Sequence, residues 1–125
     1  MKKTMILLLA IIATSVCSYA YTLQLTCTVN QIYVFSTVYA PANPFHIYLY
    51  AHKAAVATGE DDEAFCGYAG FDLNSNNLSQ NSVTASKPYQ TVLKNLTVRV
   101  SGIYRLELYL HADRPGDFSY IYLWW

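Results

Sequence analysis

Charge is scarce in this chain, and the familiar signatures of catalysis are missing from it. Of 125 residues only 8 are basic and 8 acidic, and the one basic cluster is the pair Lys2-Lys3. A chain without a basic footprint cannot neutralise phosphates along a nucleic acid, so that class of partner is excluded. The same shortage argues against docking on an anionic membrane surface. There is no Gly-x-Ser-x-Gly elbow, no His-Glu-x-x-His and no phosphate loop, so no residue stands out as catalytic. An enzymatic reading shrinks to a small hydrolase with an unrecognised site. No apolar run approaches the ~20 residues that a helix needs to cross a bilayer, and no long segment has helical periodicity.

The longest apolar stretch is short and sits at the start. Lys2 and Lys3 precede the run from Met5 to Ala13, and Ser18-Tyr19-Ala20 supplies the small-x-small end that signal peptidase reads. Residues 1–20 are therefore expected to be a removable secretory signal and not a stable anchor. Lipidation is not expected, because Val16 precedes Cys17 where a lipoprotein signal has a small residue. Export places the protein in a periplasm or outside the cell. Residues 21–125 remain as one domain, long enough to bury a core. Two of the 8 basic residues leave with the signal, so 6 face 8 acidic ones and the formal charge becomes −2.

Cysteine is nearly absent too: once Cys17 is removed, only Cys27 and Cys66 are left. In an oxidising compartment two cysteines are expected to pair. Closing the 39-residue loop between them would contribute roughly 4 kcal/mol on the chain-entropy estimate. The pair lacks Cys-x-x-Cys spacing, which points to a staple and away from redox chemistry.

What the chain does have is alternation. In residues 21–30, Tyr21, Leu23, Leu25, Cys27 and Val29 alternate with Thr22, Gln24, Thr26, Thr28 and Asn30, the period of a strand with one buried face. Residues 32–40 place Ile32, Val34, Ser36 and Val38 against Tyr33, Phe35, Thr37 and Tyr39. Pro41 and Pro44 then close the strand, since neither can donate to a ladder. A third strand over 45–53 sets Phe45, Ile47, Leu49 and Ala51 against His46, Tyr48, Tyr50 and His52. Residues 57–88, with three glycines, the run Glu60-Asp61-Asp62-Glu63 and an Asn/Ser-rich stretch, predict a long connection with at most a short strand at 65–71. Strands return at 90–100 and at 103–111, where Tyr104, Leu106, Leu108 and Leu110 oppose Arg105, Glu107, Tyr109 and His111. Pro115-Gly116 marks a turn, and a last strand over 118–125 carries aromatics on alternate positions.

Six strands, or as many as eight, and no helix make an all-β fold, a single small antiparallel β-sandwich of Ig-like or jelly-roll-like form with one disulfide. A small β-barrel is the alternative. The immunoglobulin hallmark of a tryptophan between the cysteines is absent.

Metal ligands are thinly spread. His46 and His52 share a face, but six residues of strand separate them by about 20 Å, too far to hold one ion, so no metal site is expected there. Glu60 to Glu63 and Asp72-x-Asn74-x-Asn76 offer oxygen atoms. In the second run Asn77 stands where a calcium loop has glycine, and Val83 where it has a bidentate glutamate. A weakly held calcium ion in one of these loops is the one cofactor left open.

Aromatic residues are the feature in excess: 12 tyrosines, 5 phenylalanines and 2 tryptophans. Several strands carry them opposite the aliphatic set. If the aliphatic side is the core, Tyr33, Phe35, Tyr39, Tyr48, Tyr50 and Tyr109 line an outer sheet face, where rigid amphipathic rings suit stacking on sugars or contact with a protein. The expected function is that of an exported, non-catalytic binding module with a glycan ligand. The alternative is a protein-interaction module: an envelope or surface component, an inhibitor or an adhesin-like subunit.

Overall fold

The computed structural model describes residues 20–54 and 62–125, so the expected signal lies outside the described residues except for Ala20. Eight strands form: β1 (Thr22–Thr28), β2 (Tyr33–Tyr39), β3 (Phe45–His52), β4 (Ala64–Phe71), β5 (Asn77–Ala85), β6 (Thr91–Val98), β7 (Arg105–Ala112) and β8 (Phe118–Trp124). They make two four-stranded antiparallel sheets, ordered β1-β8-β3-β6 and β2-β7-β4-β5. The chain behaves as one long hairpin rolled upon itself, because β1 pairs with β8, β2 with β7, β3 with β6 and β4 with β5. The ladders β3:β8 and β4:β7 then join these pairs into sheets. Among the described residues no ladder links the two sheets, an arrangement consistent with a β-sandwich.

The aliphatic set of each strand points inward, as the alternation predicts. Ile47, Leu49 and Ala51 of β3 and Ile121 and Leu123 of β8 meet Leu106, Leu108 and Leu110 of β7, all fully buried. The start of β1 and the end of β8 are tied by reciprocal Tyr21 and Trp125 backbone hydrogen bonds of 3.1 Å, with their rings stacked at 4.3 Å.

Three expectations are corrected. Residues 57–88 are not mainly a connection: the short strand expected at 65–71 is β4, an inner strand whose backbone is paired on both sides, and the Asn/Ser-rich stretch forms β5. Tyr104 does not join the leucines of β7. Gly102, with φ +91°, turns the chain so that Ile103 fills the core and Tyr104 is exposed.

The third concerns the cysteines, which do not form a disulfide. Cys27 and Cys66 are both buried free thiols. Cys66 Sγ donates to the carbonyls of Tyr50 and Tyr120 at 3.3 and 3.4 Å, while Cys27 packs beside Ser119. Burial pushes the Cys66 thiol up to about 12 and raises that of Cys27 as well. Each acts as a small apolar filler and is inert as a nucleophile. Neither cysteine should therefore react with a thiol reagent in native buffer, both should react in denaturant, and a reductant should leave the melting temperature unchanged. A melting temperature that falls by several degrees on reduction would restore the disulfide.

Candidate functional site

The strand registers of the first sheet arrange its outer face in four rows of four. They run Thr22, Trp124, His46, Thr97; then Gln24, Tyr122, Tyr48, Asn95; then Thr26, Tyr120, Tyr50, Leu93; then Thr28, Phe118, His52, Thr91. Rings fill the two central columns, contributed by β8 and β3, and small polar side chains fill most of the flanks. No Asp, Glu, Lys or Arg occupies any of these positions. The arrangement follows from sequence: Ile121 and Leu123 go inward, so the alternate aromatics of β8 must go outward.

The rings lean on one another. Tyr122 and Trp124 stack at 4.8 Å, His46 stacks on Trp124 at 5.2 Å, and Phe118 and Tyr120 lie near-parallel at 6.4 Å. Across the two strands, Tyr48 meets Tyr120 and Tyr50 meets Phe118 edge to face. The rings are half-buried, largely by their own neighbours. Burial, with Tyr122 and Tyr48 alongside, raises the Tyr120 hydroxyl above its ordinary value. The flanking threonines hold the two imidazoles: His46 Nδ1 lies 3.1 Å from Thr97 Oγ1 and His52 Nδ1 2.8 Å from Thr91 Oγ1.

Only Tyr48 and Tyr50 of the six aromatic residues expected to bind lie on this face. Tyr33, Phe35, Tyr39 and Tyr109 lie on the outer face of the other sheet, on the far side of the sandwich, so the six do not make one site. There Tyr109 is folded down over Gly67, and Tyr33 and Tyr109 both meet Phe65 edge to face. Arg105 sits 4.6 Å above the Phe71 ring and pairs with Glu107, so this second face is mixed in charge. Phe118, Tyr120, Tyr122, Trp124, His46 and His52 are the ladder residues that sequence reasoning left out. The aliphatic-inward rule used for β2 and β3 would have found the four aromatics of β8.

The oxygen-rich runs are engaged elsewhere. Asp72 closes its own hairpin turn, accepting the N–H groups of Asn74 and Asn76 and the Asn76 side-chain amide, each at 2.9 Å. These bonds, chiefly from Asn76, hold its carboxyl below the usual range. Asp62 belongs to a buried ion cluster: Lys53 Nζ lies 2.9 Å from Asp62 and 3.0 Å from Asp117, and Arg114 reaches Asp62 at 3.3 Å. Glu60 and Asp61 lie outside the described residues. Among the described residues no three His, Cys, Asp or Glu side chains are grouped to hold a metal ion. Nor is any helix there long and apolar enough to cross a membrane.

Comparison with known proteins adds little. The chain matches no family model and no curated protein. Among solved structures it is similar to the enzymatically active domain of tailspike protein 4 from bacteriophage CBA120, with 15% identity and a TM-score of 0.45. That likeness covers 72% of this chain and 13% of the tailspike chain, so the protein spans only a small part of that structure's length.

Proposed function

We propose that this protein is an exported, non-catalytic binding module that takes a neutral glycan on the outer face of the β1-β8-β3-β6 sheet. The observation that carries the reading is the ring ladder, two columns wide and four rows long, with no Asp, Glu, Lys or Arg in it and flanked by Gln24, Asn95 and threonines. Rings at alternate strand positions recur every ~6.6 Å, a spacing over which consecutive pyranose rings of an extended chain can each find a neighbour. Amides and hydroxyls beside the rings satisfy sugar hydroxyls, and the lack of fixed charge disfavours acidic sugars. The strand order supports a jelly-roll form over an Ig-like one, which leaves this sheet face open between loops at both ends. Secretion or periplasmic residence follows from the expected leader.

A glycan array with wild type, Tyr122→Ala/Trp124→Ala and Tyr48→Ala/Tyr50→Ala tests the reading. Selective binding of neutral oligosaccharides is expected, and either variant should lose at least about 2 kcal/mol of it, roughly thirtyfold in Kd. A folded protein that binds no glycan would overturn it. The second reading, a protein partner, is favoured by the three exposed aromatics of β2, and co-purification from the exporting host would test that.

A further inference from the structure

We propose that β2 is a pairing edge whose occupant is β2 of a second copy of this chain, running antiparallel about Ser36. Among the described residues β2 is the outer strand of its sheet, with β7 as its only ladder partner. The Ala112 N–H donates to Ile32 O at 3.0 Å and the Ala40 N–H to Tyr104 O at 2.6 Å. Those two bonds fix the phase of the ladder: even-numbered residues of β2 bond to β7. The N–H and C=O groups of Phe35, Thr37 and Tyr39 therefore point out of the open edge.

Natural sheets blunt such edges, and this one does so on the opposite side. Lys94 of β6 stands opposite Leu49, so an edge strand carries a lysine on its inward face, with the amine reaching Asn81 at 2.6 Å. β5 carries Asn, Ser and Gln and has a register irregularity against Gly70/Phe71. β2 has none of these devices. Its sequence, Tyr-Val-Phe-Ser-Thr-Val-Tyr, holds no charge, proline or glycine, its register is unbroken, and Tyr33, Phe35 and Tyr39 are 53%, 56% and 62% exposed.

The strand is also its own complement. Reversed about Ser36, Tyr33 falls opposite Tyr39, Val34 opposite Val38 and Phe35 opposite Thr37. Valines meet on the core face and aromatics on the outer face, so neither side is forced into the wrong environment. The hydrogen-bonded pair of this register is Phe35 with Thr37, which uses the outward-pointing groups, and at each end the Tyr39 N–H faces the Tyr33 carbonyl, while the Tyr33 N–H stays with the Gln31 carbonyl of its own chain at 2.6 Å. The two-fold axis makes the contact isologous, and it closes after two copies. An unrelated strand would need no such symmetry. β1 lies at the same side and is also uncharged, but its outer face is threonine and glutamine, with no aromatic to bury. The result is a continuous eight-stranded sheet that leaves both ring ladders free.

A seven-residue edge gives an interface at the small end of the range, so the dimer should dissociate in the micromolar range. Sedimentation of protein purified from an exporting host, from about 1 to 200 µM, should show a monomer–dimer equilibrium. Phe35→Lys/Thr37→Lys puts lysine opposite lysine and should be monomeric throughout, with an unchanged far-UV spectrum. Phe35→Glu/Thr37→Glu should also be monomeric, and mixing the two variants should restore the dimer, which an unfolded variant could not do. Thr26→Lys on β1 should leave it intact. A wild type that is monomeric at every concentration, a mixture that stays monomeric, or a dimer abolished by Thr26→Lys would each overturn the proposal.

Discussion

Replacing Asp117 by alanine should cost this protein about 3–5 kcal/mol, close to the whole stability of a weak domain. Asp117 is buried beside Lys53, which has no exposed surface, and accepts its amine through both carboxylate oxygens at 3.0 and 3.1 Å. It also accepts the Ala54 N–H at 2.8 Å and the Arg114 N–H at 3.2 Å. Removing it leaves a buried ammonium with one carboxylate partner fewer and two backbone donors unmet. Lys53→Met leaves the buried Asp117 carboxylate without its cation, so it should cost a comparable amount, whereas Lys53→Met combined with Asp117→Ala removes both charges and should be milder than either alone. Urea unfolding of the three variants checks this order, and an Asp117→Ala loss below about 1 kcal/mol would show that the cluster carries no weight. The pH dependence has a definite sign. Burial works against the charge on Lys53, but bonds to Asp62 and Asp117 outweigh it and raise the pKa. The stabilisation is therefore fully present below the ordinary lysine value and is lost as pH rises through the folded-state value above it.

This cluster was invisible in the sequence, and the reason is topological. Lys53 directly follows β3 and Asp117, 64 residues later, directly precedes β8, and the ladder between those strands brings them together. The acidic run that suggested calcium supplies Asp62 to this cluster instead. Alternation, by contrast, depends only on neighbours, so β1, β2 and β3 were legible with the correct face inward, and β8 was legible as a strand. β4 was legible only as a short strand around 65–71 and β5 not at all, because glycine, asparagine and serine disfavour strands in isolation, and their state is decided by ladders that flank them. The cysteines show the same limit: their number and compartment suggested a bond, while pairing is a matter of position, and Cys66 has turned its sulfur to two carbonyls of the facing sheet. For the site, the aromatic excess was readable, but the division of the six chosen residues between two opposite faces depends on which sheet each strand joins.

Gly67→Ala is the second substitution expected to have a large effect, and its sign is against the ordinary trend. In a strand, alanine in place of glycine usually gains about 0.5–1 kcal/mol. Here a Cβ on residue 67 would lie 2.5 Å from Tyr109 Oη and 2.7 Å from the Asn81 carbonyl oxygen. The tyrosine belongs to a flexible side chain that can swing away, at the loss of its contact with Phe65 and of the hydrogen bond to Ser82. The carbonyl belongs to β5 and cannot move without disturbing the β4:β5 ladder. The variant should therefore lose about 1–3 kcal/mol, as overpacked sites do. Gly67→Ala/Tyr109→Ala separates the two causes: removing the ring relieves one clash and leaves the other, so part of the penalty should persist relative to Tyr109→Ala alone. A Gly67→Ala protein that melts higher than wild type would mean that Tyr109 does not lie over this glycine. The outer face of that sheet would then lose the ring that fixes the row running from Phe35 through Tyr109 to Ser82.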